Sequence, residues 1–144
     1  MLTLDVNWMG IILATVASMA LGMIWYMTLA KQWMAATGKK QEDLMGSGGK
    51  SPSPFVFAAI SQFIMAYAIN FLTPALMGGV IEPFGAAMVG VHMWGAFIIT
   101  SMVLNHRYQN MSWKLTIIDG GYLLGVVILQ GIVIGYFGGV GASI

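Results

Sequence analysis

Asp119 is the residue from which any chemistry in this sequence would have to be built, because it is the only charge well inside a long apolar stretch. Counted from Leu115, it lies about 6 Å along a helix. Tyr122 follows one turn later, and Tyr26 closes a separate apolar stretch. A carboxyl group beside phenols suits a proton or cation relay. The structural alternative is that Asp119 reaches the edge of the apolar layer or pairs with Lys31, Arg107 or Lys114. A second polar set is His92, Asn70 and Gln130, which the spacing places at similar depth in three different stretches. Such groups could hold a ligand or a proton, or bond one another across helices at about 1 kcal/mol or less each. His92 and His106 lie about 21 Å apart on one helix and cannot clamp a haem iron. Met19, Met23 and Met27 share a helix face, and thioethers suit monovalent copper, but methionine is equally an apolar filler. The chain has no cysteine, so thiolate nucleophiles, thiolate metal sites and disulfides are excluded. There is no Ser–His–Asp set, paired carboxylates, phosphate loop or HExxH. The expectation is therefore no enzyme, no cofactor and no metal.

The elements that must position these residues follow from composition. Of 144 residues, 58% are hydrophobic and 8% charged, against about 25% charged in an average soluble domain. So few charges cannot coat a soluble fold, and the lipid bilayer becomes the expected solvent. A net charge of +1 gives no reason to expect nucleic acid. An apolar layer about 30 Å thick needs about 20 helical residues. The charges leave four such stretches, 8–29, 55–77, 84–104 and 115–137, joined by loops 31–54 and 105–114. They lack the alternating polarity of membrane strands. The expected fold is an all-α membrane protein, a single domain of four transmembrane helices. Asp5 or Asn7, Ser53-Pro54, Pro83 and Ser112 supply helix-start signals. Asp5 stands where a signal peptide would be basic, so the first stretch reads as a retained helix.

Basic residues set the orientation. Lys31, Lys39, Lys40, Lys50, Arg107 and Lys114 all fall on one side, which is expected to be cytoplasmic. Both termini are then outside. Trp25, Tyr26, Trp33, Tyr108 and Trp113 read as an aromatic belt on the inner side.

Small residues mark the packing faces. Gly10, Ala14, Ser18 and Gly22 recur every four residues on the first span, and Ala58, Gln62, Ala66, Asn70 and Pro74 do so on the second. The fourth carries Gly121 and Gly125, then Gly131, Gly135 and Gly139, broadly opposite Asp119, Tyr122 and Gln130. Small residues let helices approach closely in lipid. Two specialised faces on one helix suggest contacts on both, one of them with a second copy or a larger membrane complex.

Asn7-Trp8, Gly22, Trp25-Tyr26, Lys31-x-Trp33-Met34 and Gly38 resemble a bacterial family of small four-helix membrane proteins catalogued as domain of unknown function 1761. Trp94-Gly95-Ala96-Phe97, Asn105, Trp113-Lys114-Leu115 and Asp119-Gly120-Gly121-Tyr122 are similar to the same family. Where this chain has Asp119-Gly120, the family usually has Asn-Ala. The resemblance implies fold and topology but no mechanism. The expected role is that of a non-catalytic, multi-pass protein of the bacterial inner membrane, an accessory or assembly subunit. The alternative is a small oligomeric transporter or channel for a small solute or ion.

Overall fold

The computed structural model describes residues 5–40 and 52–137, and within them every regular element is a helix. α1 spans Trp8–Thr28, α2 Ala30–Thr37, α3 Ser53–Leu76 and α4 Pro83–Met93. A π-helical turn at Trp94–Ile98 joins α4 to α5, Ile99–Tyr108, and α6 spans Trp113–Phe137. α4, the π turn and α5 form one continuous rod, Pro83–Tyr108, so among the described residues four helices are long and apolar enough to cross a membrane. α2 stands within a segment whose sequence reads as a loop. It ends where Gly38 adopts a left-handed φ of 72°, which costs glycine nothing.

The helix starts follow ordinary capping chemistry. The Asn7 side chain accepts from Gly10 N at 3.0 Å. Glu82 accepts from the backbone N–H groups of Phe84 and Gly85, with Pro83 in the first turn. Ser112 Oγ accepts from Leu115 N at 3.3 Å. The α3 start differs from the sequence reading, because Pro52 rather than Ser53 occupies the cap position.

α6 is the axis of the bundle. Of its most apolar stretch 44% is buried, against 11% for the Pro83–Tyr108 rod. Its glycines set the close approaches. A methyl group on Gly131 would lie 2.5 Å from the Ala87 backbone, and one on Gly135 would collide with Pro83. Gly121 and Gly125 instead meet Trp25 and Leu21 of α1. The described glycines of this face of α6 thus pack against helices of the same chain. Gly139 lies outside the described residues. Gly10, Ala14 and Ser18 are buried on α1.

The bundle is tight at one end and splayed at the other. At the tight end Asn7 Nδ2 donates to Phe137 O at 3.0 Å, and Asn7 N donates to Asn70 Oδ1 at 3.2 Å. Both ends of the described chain therefore meet there. At the opposite end Ser112 Oγ donates to Ala36 O at 3.2 Å. All buried residues of α3 lie from Gln62 onward, and those of the third rod lie no later than Gly90. Ile11, Ala14, Ala66, Ala86 and Ile134, each with no exposed surface, close the interior toward the tight end. The other half, which carries Asp119, is more open.

The π turn resets the register of the third rod. Gly90 packs on Val127, and Trp94 reaches Gly120 one turn later. An unbroken α-helix would next present Ile98 to α6. The extra residue in the turn brings Ile99 to α6 as well, where its Cδ1 would lie 2.6 Å from a methyl on Gly120. Both Trp94 and Ile99 therefore converge on Gly120.

Candidate functional site

Asp119 lies half-buried between α6 and α1, where Tyr26 donates its phenol O–H to Asp119 Oδ1 at 2.6 Å. α1 and α6 run antiparallel, so Tyr26 sits opposite the first turns of α6 and Ser18 opposite its middle. The Tyr26 ring meets Tyr122 edge-on, with centroids 5.1 Å apart. Tyr122 can lie across α1 because Gly22 has no side chain; a methyl there would stand 2.7 Å from the Tyr122 hydroxyl.

The Tyr122 hydroxyl accepts from Gln62 Nε2 at 2.6 Å and donates to Ser18 O at 3.3 Å. Gln130 Nε2 donates both to Ser18 Oγ at 3.0 Å and to Gln62 O at 2.9 Å. One ladder of polar groups thus ties α1, α3 and α6 together through the bundle centre. Two indoles flank its carboxyl end. Trp25 Nε1 donates to Ile118 O at 3.1 Å, and Trp94 Nε1 donates to Gly120 O at 2.9 Å. The carbonyls on either side of Asp119 are each held by a tryptophan, which fixes this turn of α6 against two neighbouring helices.

The sequence-predicted residues divide sharply. Asp119, Tyr26 and Tyr122 are brought together, and Gln130 joins them through Gln62 and Ser18. His92 is not among them: it is exposed, and its Nδ1 lies 2.7 Å from Met88 O on its own helix. Asn70 sits about 12 Å further along α3 than Gln62, at the tight end with Asn7. The expected His92–Asn70–Gln130 layer does not exist, because these helices rotate His92 outward. The basic partners weighed for Asp119 are also replaced by a phenol. Arg107 turns elsewhere, donating through Nη2 to Met111 O at 2.8 Å and Thr116 Oγ1 at 3.2 Å. Met23 and Met27 are exposed, so their side chains face away from the interior. Trp25 and Tyr26, read as belt residues, point into the bundle.

Gln62, Ser18 and Trp94 belong to the site although none was expected in it. Gln62 carried a signal, since a polar amide in an apolar span usually faces a partner. Ser18 looked like one more small packing residue, and Trp94 like part of a family signature.

Chemically, a phenol and a carboxyl oxygen at 2.6 Å can share or pass a proton. Among the described residues the ladder stops at Gln130 and Ser18, short of the apolar layer of Ile11, Ala66 and Ile134. Gln62 Oε1 and Gln130 Oε1 are buried acceptors without a partner. The arrangement therefore holds polar groups inside the bundle without a continuous polar file to the tight end.

A family model described as Protein of unknown function (DUF1761) matches residues 9–135. No curated protein and no solved structure matches the chain.

Proposed function

The chain belongs to the DUF1761 family, and from that premise we propose that it is a non-catalytic subunit of the bacterial inner membrane. Its third rod packs laterally against a helix of another membrane protein. One observation carries this reading. The third rod leaves His92, Thr100, Ser101 and Asn105 exposed on its outer surface. Polar side chains facing hydrocarbon are expensive and ordinarily meet protein. Thr100 and Ser101 relieve part of that cost by donating to Ala96 O at 2.8 Å and Phe97 O at 2.5 Å. A methyl group on Gly95 would meet nothing within 4 Å, which leaves room for a close helix approach. Most internal polar groups, by contrast, bond one another, with Gln62 Oε1 and Gln130 Oε1 left as buried acceptors.

Purification at native expression in mild detergent, followed by native mass spectrometry, tests this. The expected result is a stoichiometric complex with one other membrane protein. Ser101→Trp and Asn105→Trp should dissociate it without lowering the melting temperature of the isolated chain. A solitary monomer overturns the proposal, and a complex built only of this chain replaces the partner with a second copy.

A second reading, a small-solute or ion transporter, draws on the placement of Asp119 in the more open half of the bundle. Transport would then require the apolar layer at the tight end to part.

A further inference from the structure

We propose that the flank of the third rod near Arg107 binds one anionic phospholipid of the surrounding bilayer. A groove of about 450 Å³ runs along this flank, lined by Ile99, Thr100, Val103, Leu104, Arg107 and Tyr108. It is a shallow, open depression that follows about 14 Å of one helix. Ile99, Val103 and Leu104 give aliphatic walls suited to an acyl chain. Arg107 stands at the end where the helix leaves the apolar layer.

That guanidinium is held in place before any ligand arrives. It stacks over the Trp113 ring at 3.7 Å, and its Nη2 bonds Met111 O and Thr116 Oγ1. All of these partners are uncharged. Among the described residues no carboxylate pairs with Arg107, and its Nε–H, covered by the protein, lacks an acceptor. Among the described residues its positive charge therefore has no carboxylate partner at the mouth of an apolar groove. Tyr108, 86% exposed, and Trp113, 57% exposed, stand beside it, as amphipathic rings do at headgroup level. Lys114 adds a second positive charge nearby in sequence. A neutral lipid or an apolar partner helix would fill the walls but leave the charge unmatched. A phosphodiester with a net negative headgroup matches both, since a planar, fixed guanidinium suits phosphate oxygens.

The site belongs to the isolated chain, so its test is separate from that of the partner complex. Delipidated protein in mixed micelles is titrated with phosphatidylglycerol, with phosphatidylcholine and with inorganic phosphate, and bound lipid is counted by native mass spectrometry. One phosphatidylglycerol per chain should be retained in preference to phosphatidylcholine by about fivefold or more. Arg107→Gln should remove the preference. Because that change also loosens the Thr116 contact, Leu104→Trp gives a second variant that fills the groove and leaves the Arg107 bonds intact. It should lose the lipid, whereas Ile12→Trp, on an exposed part of α1, should retain it. Equal retention of the two lipids overturns the proposal, as does full retention by Leu104→Trp. Inorganic phosphate raising the melting temperature as much as phosphatidylglycerol would reduce the site to an anion contact without an acyl groove, and a second copy seated there in place of lipid would also overturn it.

Discussion

The short contact between Tyr26 and Asp119 makes the carboxyl group part of the packing of α1 on α6. Asp119→Asn should be tolerated, because an amide oxygen can accept the same phenol hydrogen bond; the loss should stay near 1 kcal/mol. Asp119→Leu leaves the phenol unmatched and should cost about 1–3 kcal/mol. Tyr26→Phe removes the donor from a half-buried carboxyl group and should resemble the leucine variant. Thermal melts in one detergent give this ranking directly. The transporter reading predicts a different pattern: Asn would abolish pH-driven solute or ion flux in proteoliposomes at an unchanged melting temperature. A flux lost in that way would displace the subunit reading.

At the scale of the helices, glycine tolerance should follow what stands opposite each one. Gly131→Ala pushes a methyl group onto the Ala87 backbone, which cannot step aside, and should cost about 1–3 kcal/mol by overpacking. Gly22→Ala meets only the tip of Tyr122, so that phenol can swing away, but at the loss of its Gln62 bond. The expected cost is nearer 1 kcal/mol. Gly95→Ala enters open space and should be neutral or slightly stabilising, within about 1 kcal/mol of helix propensity. Equal melting temperatures for the three would remove the argument for close helix approach. The same helices show what a sequence can and cannot disclose. Stretches bounded by Asp5, Lys31, Lys50, Glu82, Arg107 and Lys114, free of charge but for Asp119, disclose four long helices, because lipid excludes charge. Four-residue spacing discloses the small-residue faces. Rotation about each helix axis is another matter. A polar residue in an apolar span is ordinarily expected to face protein, so nothing in the pattern of the third rod says that His92 faces out while Trp94 faces in. The π turn is equally silent, since Trp94–Ile98 carries no proline and its extra residue is visible only when Gly120 is seen receiving both Trp94 and Ile99. Asp119 was recognisable as exceptional, yet its partner was not, because that depends on where α1 places Tyr26.

For the whole molecule, the meeting of Asn7 with Phe137 places both ends of the described chain at one end of the bundle, whichever way it is inserted. The direction of insertion is a matter of charge. Lys31, Lys39, Lys40, Arg107 and Lys114 belong to the opposite end, as does Lys50 by its place in the chain, and no basic residue lies at the end shared by Asn7, Phe137 and the Gly78–Glu82 turn. A six-to-nothing split favours retention of the basic end in the cytoplasm, so the termini should face the periplasm. The absence of cysteine makes the test clean. Val80→Cys sits on the turn between the second and third rods, where residue 80 is 55% exposed and no tight backbone geometry is disturbed. Gln109→Cys sits on the exposed loop at the other end. A membrane-impermeant maleimide applied to spheroplasts should label the cysteine at position 80 and leave that at position 109 unlabelled until the cells are lysed. The reverse pattern would place the basic end outside, against the positive-inside rule. The anionic-lipid groove at Arg107 would then have to draw its ligand from the outer leaflet.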